Sequence, residues 1–174
     1  MTSLEERARA IRLVCADVDG VLTDGSLHFG SEGGHTKVFN ARDGAGIVHL
    51  QTAGIRVAFI SGLDSPSTVY RARHLGVVDC FVGNLTKGPV LDQLCEKYGL
   101  DPQQVAMVGD DLPDLPILRR VGLACCPVDA VEEVKDCCHW VVPDKGGHGV
   151  LRTVAERILK TQGLWEEVTS PYLG

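Results

Sequence analysis

No run of basic residues occurs anywhere in the sequence: 17 Lys and Arg stand against 23 Asp and Glu, a net charge of −6. Nucleic-acid backbones are bound by clustered cations, so no nucleic-acid partner is expected. Nor does any apolar run approach the roughly 18 residues that cross a bilayer. The opening MTSLEERARAIRLV alternates charge with small apolar residues where a signal peptide needs an unbroken apolar stretch. These absences point to a cytoplasmic protein with no membrane partner. C-x-x-C is also missing. The seven cysteines, at 15, 80, 95, 125, 126, 137 and 138, are odd in number and fit reduced, buried thiols. A zinc site drawn from Cys125, Cys126, Cys137, Cys138 and His139 lacks the spacing, because adjacent cysteines rarely both reach one tetrahedral ion. Repeats, low-complexity tracts and linkers are missing too, and 174 residues at 44% hydrophobic content suit one domain over 1–174 with its own core.

What is present is an alternation of short apolar runs with longer amphipathic segments. The runs lie at 11–16, 55–60, 78–82, 105–109, 122–126 and 139–143. Near-continuous apolarity marks strands covered on both faces, as in a parallel sheet. Helices are predicted between them at 43–53, 65–75, 86–99, 113–121, 129–136 and 149–162, with a short leading helix opened by a Ser3/Glu6 capping box. The expected fold class is therefore α/β, a Rossmann-like doubly wound parallel sheet. One segment breaks the rhythm. Residues 26–40, SLHFGSEGGHTKVFN, read as a β-hairpin around a Ser-Glu-Gly-Gly turn, inserted after the first strand. Leu27, Phe29, Val38 and Phe39 fit a hairpin that buries one face. A tail of about 160–174 closes the chain.

The chemistry gathers at strand ends, where open parallel sheets bind ligands. Asp17, Asp19 and Asp24 stand in DVDGVLTDG directly after the first strand. Two carboxylates two residues apart in extended chain project to the same side and can share one cation. Asp110, Asp111 and Asp114 in GDDLPDLP follow another apolar run. If both strands are central, the clusters form one site with more negative charge than a protein keeps unpaired, and hard oxygen ligands of this kind suit magnesium. The bland alternative for Asp111 is a helix N-cap ahead of Pro113. Ser61, with Gly62 after it, ends a strand just before a helix, where a hydroxyl and backbone N–H groups can hold phosphate oxygens. Lys87 stands near a helix start and can hold a phosphoryl group against the carboxylates.

The ordered set of D-x-D-G-V-x-T-D-G, strand-Ser-Gly, Lys and G-D-D-x-x-D resembles the haloacid dehalogenase superfamily of phosphohydrolases, with the likeness running from about 11 to 162. Within it, VFNARDGAGI, VGDDLPDLP and GGHGVLRTVAERIL are most similar to the capless 3-deoxy-D-manno-octulosonate 8-phosphate phosphatases. Nonulosonate 9-phosphate phosphatases and the phosphatase-like domain of sialic acid cytidylyltransferases are also similar. The resemblance implies a HAD-like domain without a cap that hydrolyses a small sugar-acid phosphate ester with Mg2+. Asp17 would be the nucleophile and Asp19 the acid and base. Asp17, the Asp19 carbonyl and Asp110 would bind the metal with Asp111 close by, and Ser61, Gly62 and Lys87 would hold the phosphoryl group. It also implies a homotetramer whose hairpin or tail closes a neighbour's site. The same pattern carries arginine where this chain has Leu63 and His148, which removes two fixed cations for a substrate acid group. Arg42, Lys37 and His148 remain as candidate substrate contacts.

Two readings from other classes compete. A silent oligomerisation module has no need to keep mutually repelling carboxylates together. A phosphate-accepting receiver domain would carry its acidic pair ahead of the phosphorylated aspartate, whereas here D-x-D comes on the first strand.

Overall fold

The protein is described by a computed structural model covering residues 2–31 and 34–173. Glu32 and Gly33, half of the expected hairpin turn, lie outside them. The expected α/β order holds throughout. Strands β1 (Leu13–Ala16), β4 (Arg56–Ile60), β5 (Asp79–Phe81), β6 (Val105–Val108), β7 (Leu123–Pro127) and β8 (Trp140–Val142) form one sheet in the order β5-β4-β1-β6-β7-β8. Every pairing in it is parallel, which requires a crossover between successive strands. Strands β2 (His28–Phe29) and β3 (His35–Thr36) form the separate antiparallel hairpin. No further element separates β3 from the helix that opens at Ala41.

The period of two along β1 divides the core. Val14 and Ala16 face one layer, Leu13 and Cys15 the other. The first layer is closed by α1 (Leu4–Ala10), α2 (Ala41–Thr52), α3 (Pro66–His74), α7 (Val150–Thr161) and α8 (Trp165–Leu173), which bring Ile47, Leu50, Leu151, Val154 and Ile158 against it. The second is closed by α4 (Gly88–Tyr98), α5 (Leu115–Leu118) and α6 (Glu132–Lys135), through Leu91, Leu94, Ile117 and Val134. Each such buried side chain contributes about 1.5–3 kcal/mol relative to leaving it in water, so the two apolar stripes rather than helix propensity hold these short helices in place.

Local chemistry sets the ends. Ser3 and Glu6 make the expected reciprocal capping box. Asn40 caps α2 by accepting from Arg42 N at 2.9 Å. Gly99, in the left-handed region at φ 63, ends α4. The predicted helix at 113–121 is divided: a 3-10 turn over Leu112–Asp114 leads into α5, because Pro113 and Pro116 remove donors from the ladder. Helix α8 lies in what the sequence left as a tail, and packs Val168 into the core despite its internal Pro171.

Leu27, Phe29 and Val38 are 42, 68 and 72% exposed, so the hairpin buries no face within this chain; only Phe39 packs on the core. The paired strands are two residues long, and the hairpin has no facing layer of its own. No described helix is long and apolar enough to cross a membrane.

Candidate active site

Strand β1 lies between β4 and β6, with Ala16 registered on Phe59 and on Val108. The residues just beyond these three ends therefore meet. Asp17 extends β1, and its N–H donates to Val108 O at 2.9 Å. Ser61 extends β4, and its N–H donates to Phe81 O at 2.8 Å. Gly109 and Asp110 extend β6. The two acidic clusters thus form one site, as their strand placement predicted. Gly20, at φ +90, is required there, because a Cβ would lie 2.1 Å from an Asp110 carboxylate oxygen. Gly109 leaves the same kind of room for Asp114, which a Cβ would approach to 2.6 Å.

Lys87 is the cation of this site. It stands at the N-cap of α4 with its side chain 2% exposed, its Nζ 2.8 Å from Asp17 Oδ1 and 2.7 Å from Asp114 Oδ1. Asp114 is fully buried and also accepts from the N–H groups of Asp110 at 3.0 Å and Asp111 at 3.4 Å, which folds the acidic loop back on itself. One ammonium does not neutralise three carboxylates. Burial, then repulsion from Asp114, push the Asp17 carboxyl up to about 6 even though Lys87 pulls it down. Burial and the charges of Asp17 and Asp114 push Asp110 up to about 8. Burial disfavours the Lys87 charge, but the two carboxylates outweigh it and raise its pKa.

Oxygens of Asp17, Asp110 and Asp114 lie within 4.8 Å of one another, and Asp110 Oδ1 is buried without a hydrogen-bond partner. A compact set of under-compensated carboxylate oxygens fits a hard divalent cation. Asp111 sits differently. It is exposed and caps the 3-10 turn, accepting from Leu112 N at 2.7 Å, as the bland alternative had it.

A second network adjoins the first. Asp19 receives Lys37 Nζ at 2.8 Å from each carboxylate oxygen and Ser61 Oγ at 3.3 Å. Lys37 is carried in from just beyond β3, and its Nζ also donates to Thr68 Oγ1 at 3.2 Å. One alternate position back, His35 Nε2 meets Ser65 Oγ at 2.9 Å. These two contacts dock the hairpin on the start of α3.

The remaining candidates stand at the rim. Gly62 follows Ser61, and a Cβ there would meet Leu85 at 3.3 Å. The Leu63 carbonyl accepts from Ser61 Oγ at 3.1 Å. Arg42 is exposed on the first turn of α2. His148 is exposed beside Asp24 and hydrogen-bonds Gly146 O through Nδ1 at 2.7 Å. Its loop is docked on the first acidic loop by Gly147 N donating to Val21 O at 2.9 Å. Neither Arg42 nor His148 is hydrogen-bonded to the carboxylate cluster. The sequence named Asp114 as acidic without a role; the short spacing from Asp110 across Pro113 was the available signal. It gave no sign that Lys37 reaches Asp19. All seven cysteines are free, and His139 Nδ1 accepts from Ala124 N at 2.9 Å.

Comparison with known proteins agrees with this geometry. The sequence pattern of the haloacid dehalogenase-like hydrolases matches residues 59–154. The 3-deoxy-D-manno-octulosonate 8-phosphate phosphatase of Haemophilus influenzae is 39% identical over 160 residues, 92% of this chain and 89% of that one. A probable YrbI-family phosphatase structure from Pseudomonas syringae superposes with TM-score 0.96 at 43% identity, covering 98% of this chain and 97% of that one. The Moraxella catarrhalis 3-deoxy-D-manno-octulosonate 8-phosphate phosphatase, solved with magnesium, phosphate and KDO, gives TM-score 0.94 at 34% identity over 97% of each chain. With its acidic strand ends, its buried lysine and these relatives, the chain belongs to the haloacid dehalogenase-like hydrolase family, among the 3-deoxy-D-manno-octulosonate 8-phosphate phosphatases.

Proposed function

We propose that the protein hydrolyses 3-deoxy-D-manno-octulosonate 8-phosphate, with magnesium, through a phosphoryl group carried on Asp17. The observation that carries this reading is the buried clamp of Lys87 on Asp17 and Asp114, at 2.8 and 2.7 Å, beside an Asp19 held apart from it by Lys37 and Ser61. It gives adjacent carboxylates separate partners and separate tasks.

Asp17 Oδ attacks phosphorus; the new acyl O–P bond forms as the ester O–P bond breaks. Asp19 gives its proton to the departing alkoxide. Asp19 then takes a proton from a water molecule that attacks the same phosphorus, breaking the acyl O–P bond and releasing phosphate with Asp17 restored. Lys87 fixes the attacking oxygen and faces the transferring group, while Ser61 Oγ and the N–H of Gly62 stand where phosphoryl oxygens arrive. Asp17, Asp110 and the Asp19 carbonyl would hold magnesium, with Asp111 at the edge of its shell; when bound, it offsets repulsion between carboxylate and phosphate dianion.

Another small sugar-acid phosphate, such as a nonulosonate 9-phosphate, is the second reading. Leu63 favours it, because an apolar side chain stands where the family pattern places a cation, leaving exposed Arg42 and His148 to meet an acid group. The exposed Leu27, Phe29 and Val38 support a homotetramer in which the hairpin is covered by another copy. A cytoplasmic location is part of the same proposal.

The test is phosphate release with magnesium from octulosonate 8-phosphate, nonulosonate 9-phosphates, hexose phosphates and p-nitrophenyl phosphate. Selective turnover of the octulosonate ester is expected, lost by more than about 10³-fold in Asp17→Asn. Preference for another ester moves the assignment to the second reading, and turnover that survives Asp17→Asn contradicts the mechanism.

A further inference from the structure

The hairpin contributes a residue to chemistry within its own chain. Lys37 has an open backbone, yet its side chain is 0% exposed and ends in a closed set of partners: both oxygens of Asp19 at 2.8 Å and Thr68 Oγ1 at 3.2 Å. Thr68 is itself fully buried on α3, and Ser65, which binds His35, is as well. Burying an ammonium is costly unless it is paired and hydrogen-bonded. This one is, and it reaches the proton-transfer carboxylate rather than the metal-facing set around Lys87.

Asp19 is anchored by Lys37 and by Ser61 Oγ at 3.3 Å, whose single proton is shared with Leu63 O at 3.1 Å. The two are not equivalent during turnover. Ser61 is assigned above to the transferring phosphoryl group, so its hydroxyl turns from Asp19 when phosphate arrives. Lys37 has no such second task, since its buried Nζ is held between the Asp19 carboxylate and Thr68 Oγ1. We infer that Lys37 is a positioning residue: it holds the Asp19 carboxylate in the orientation from which it takes the proton of the attacking water once Ser61 has turned to the phosphoryl group. The inference rests on the hydrolytic reading above.

The two half-reactions depend on Asp19 differently. With p-nitrophenyl phosphate the departing phenolate needs no proton, so phosphorylation of Asp17 proceeds without Asp19. Release of phosphate still needs Asp19 as base, a contribution worth about 10²–10⁴-fold. A misaimed Asp19 therefore slows only the second step, whereas a loss of folding or of phosphate binding slows both.

The experiment is stopped-flow turnover of p-nitrophenyl phosphate by the full-length protein with magnesium, comparing wild type with Lys37→Met. The expected result is a burst of nitrophenolate, close to one equivalent per site, at near wild-type rate, then steady-state turnover reduced by about 10²-fold, with phosphate as product inhibitor binding as it does to wild type. Burst and turnover falling together would overturn the inference, as would unchanged turnover. If Lys37→Met fails to fold, Thr68→Val removes only the far anchor of the ammonium. It should give the same split at smaller size, and no split there overturns the inference equally. Wild type that releases phosphate from no ester of the panel above sinks the hydrolytic reading itself, and active wild type with no split in the variants sinks the inference alone.

Discussion

Lys87 and Asp114 form an ion pair at 2.7 Å across 27 residues of sequence, with both side chains at most 2% exposed. The pair does more than neutralise charge. It fixes the Asp17-facing end of Lys87 and, through the Asp110 and Asp111 N–H groups, the shape of the second acidic loop.

Truncating one partner of a buried pair leaves the other uncompensated and costs about 3–5 kcal/mol. Asp114→Ala should sit at the low end of that range, since Lys87 keeps Asp17 and some like-charge repulsion is relieved. A urea midpoint lowered at unchanged m-value is the expected record of it. A midpoint equal to wild type would show the pair to be dispensable.

The raised carboxyls at Asp17 and Asp110 fix a pH dependence. A group whose pKa is raised on folding contributes stability below its unfolded value, here 3.8, and that contribution is lost as pH rises through the folded values of about 6 and about 8. Metal-free protein should therefore lose melting temperature relative to Asp110→Asn as pH rises from about 5 to about 8. Magnesium must displace the same protons, so its affinity should climb over that window and level off above it. Calorimetry in buffers of differing ionisation enthalpy reads the proton release. A melting difference or magnesium affinity that is flat across the window contradicts the assignment.

Asp43, on the first turn of α2, caps α7 from a distance: its Oδ1 accepts from Arg152 N at 2.9 Å while Oδ2 is buried without a partner. Burial pushes its carboxyl up to about 6 against the backbone donors that lower it. Its charge thus costs stability above about pH 6. Asn keeps an acceptor without the charge, so Asp43→Asn should melt no lower than wild type at pH about 8, while Asp43→Ala loses about 1 kcal/mol with the cap. Thermal melts of the two variants side by side decide this.

Phe29 and Val38 are among the most exposed apolar side chains of the fold. If another copy covers them, Phe29→Ser with Val38→Ser should shift sedimentation from tetramer to smaller species while leaving each chain folded. An unchanged species, of whatever size, would place the subunit contact elsewhere.

The sheet and most helices were legible because parallel strands covered on both faces leave unmistakable apolar runs, and because Ser3, Asn40 and Gly99 punctuate them. Convergence of Asp17, Ser61 and Asp110 followed from their places at the ends of neighbouring strands. What the sequence hid depends on side-chain reach. Lys37 is an unremarkable charge in a polar hairpin until the hairpin docks on α3 through His35 and Ser65. Helix α8 was hidden because Pro171 and sparse apolar residues weaken its pattern, and packing of Val168 and Trp165 supplies what propensity does not. The sequence marks the hairpin face as apolar without showing what covers it, and within one chain Leu27, Phe29 and Val38 are exposed.

The central claim is covalent transfer to Asp17, and rapid acid quench of the first turnover with phosphorus-labelled substrate and magnesium tests it most directly. Acid-stable label on the protein, released by hydroxylamine and mapped to the peptide carrying Asp17, is the predicted result. Turnover with no label on the chain, or label that persists in Asp17→Asn, would contradict it.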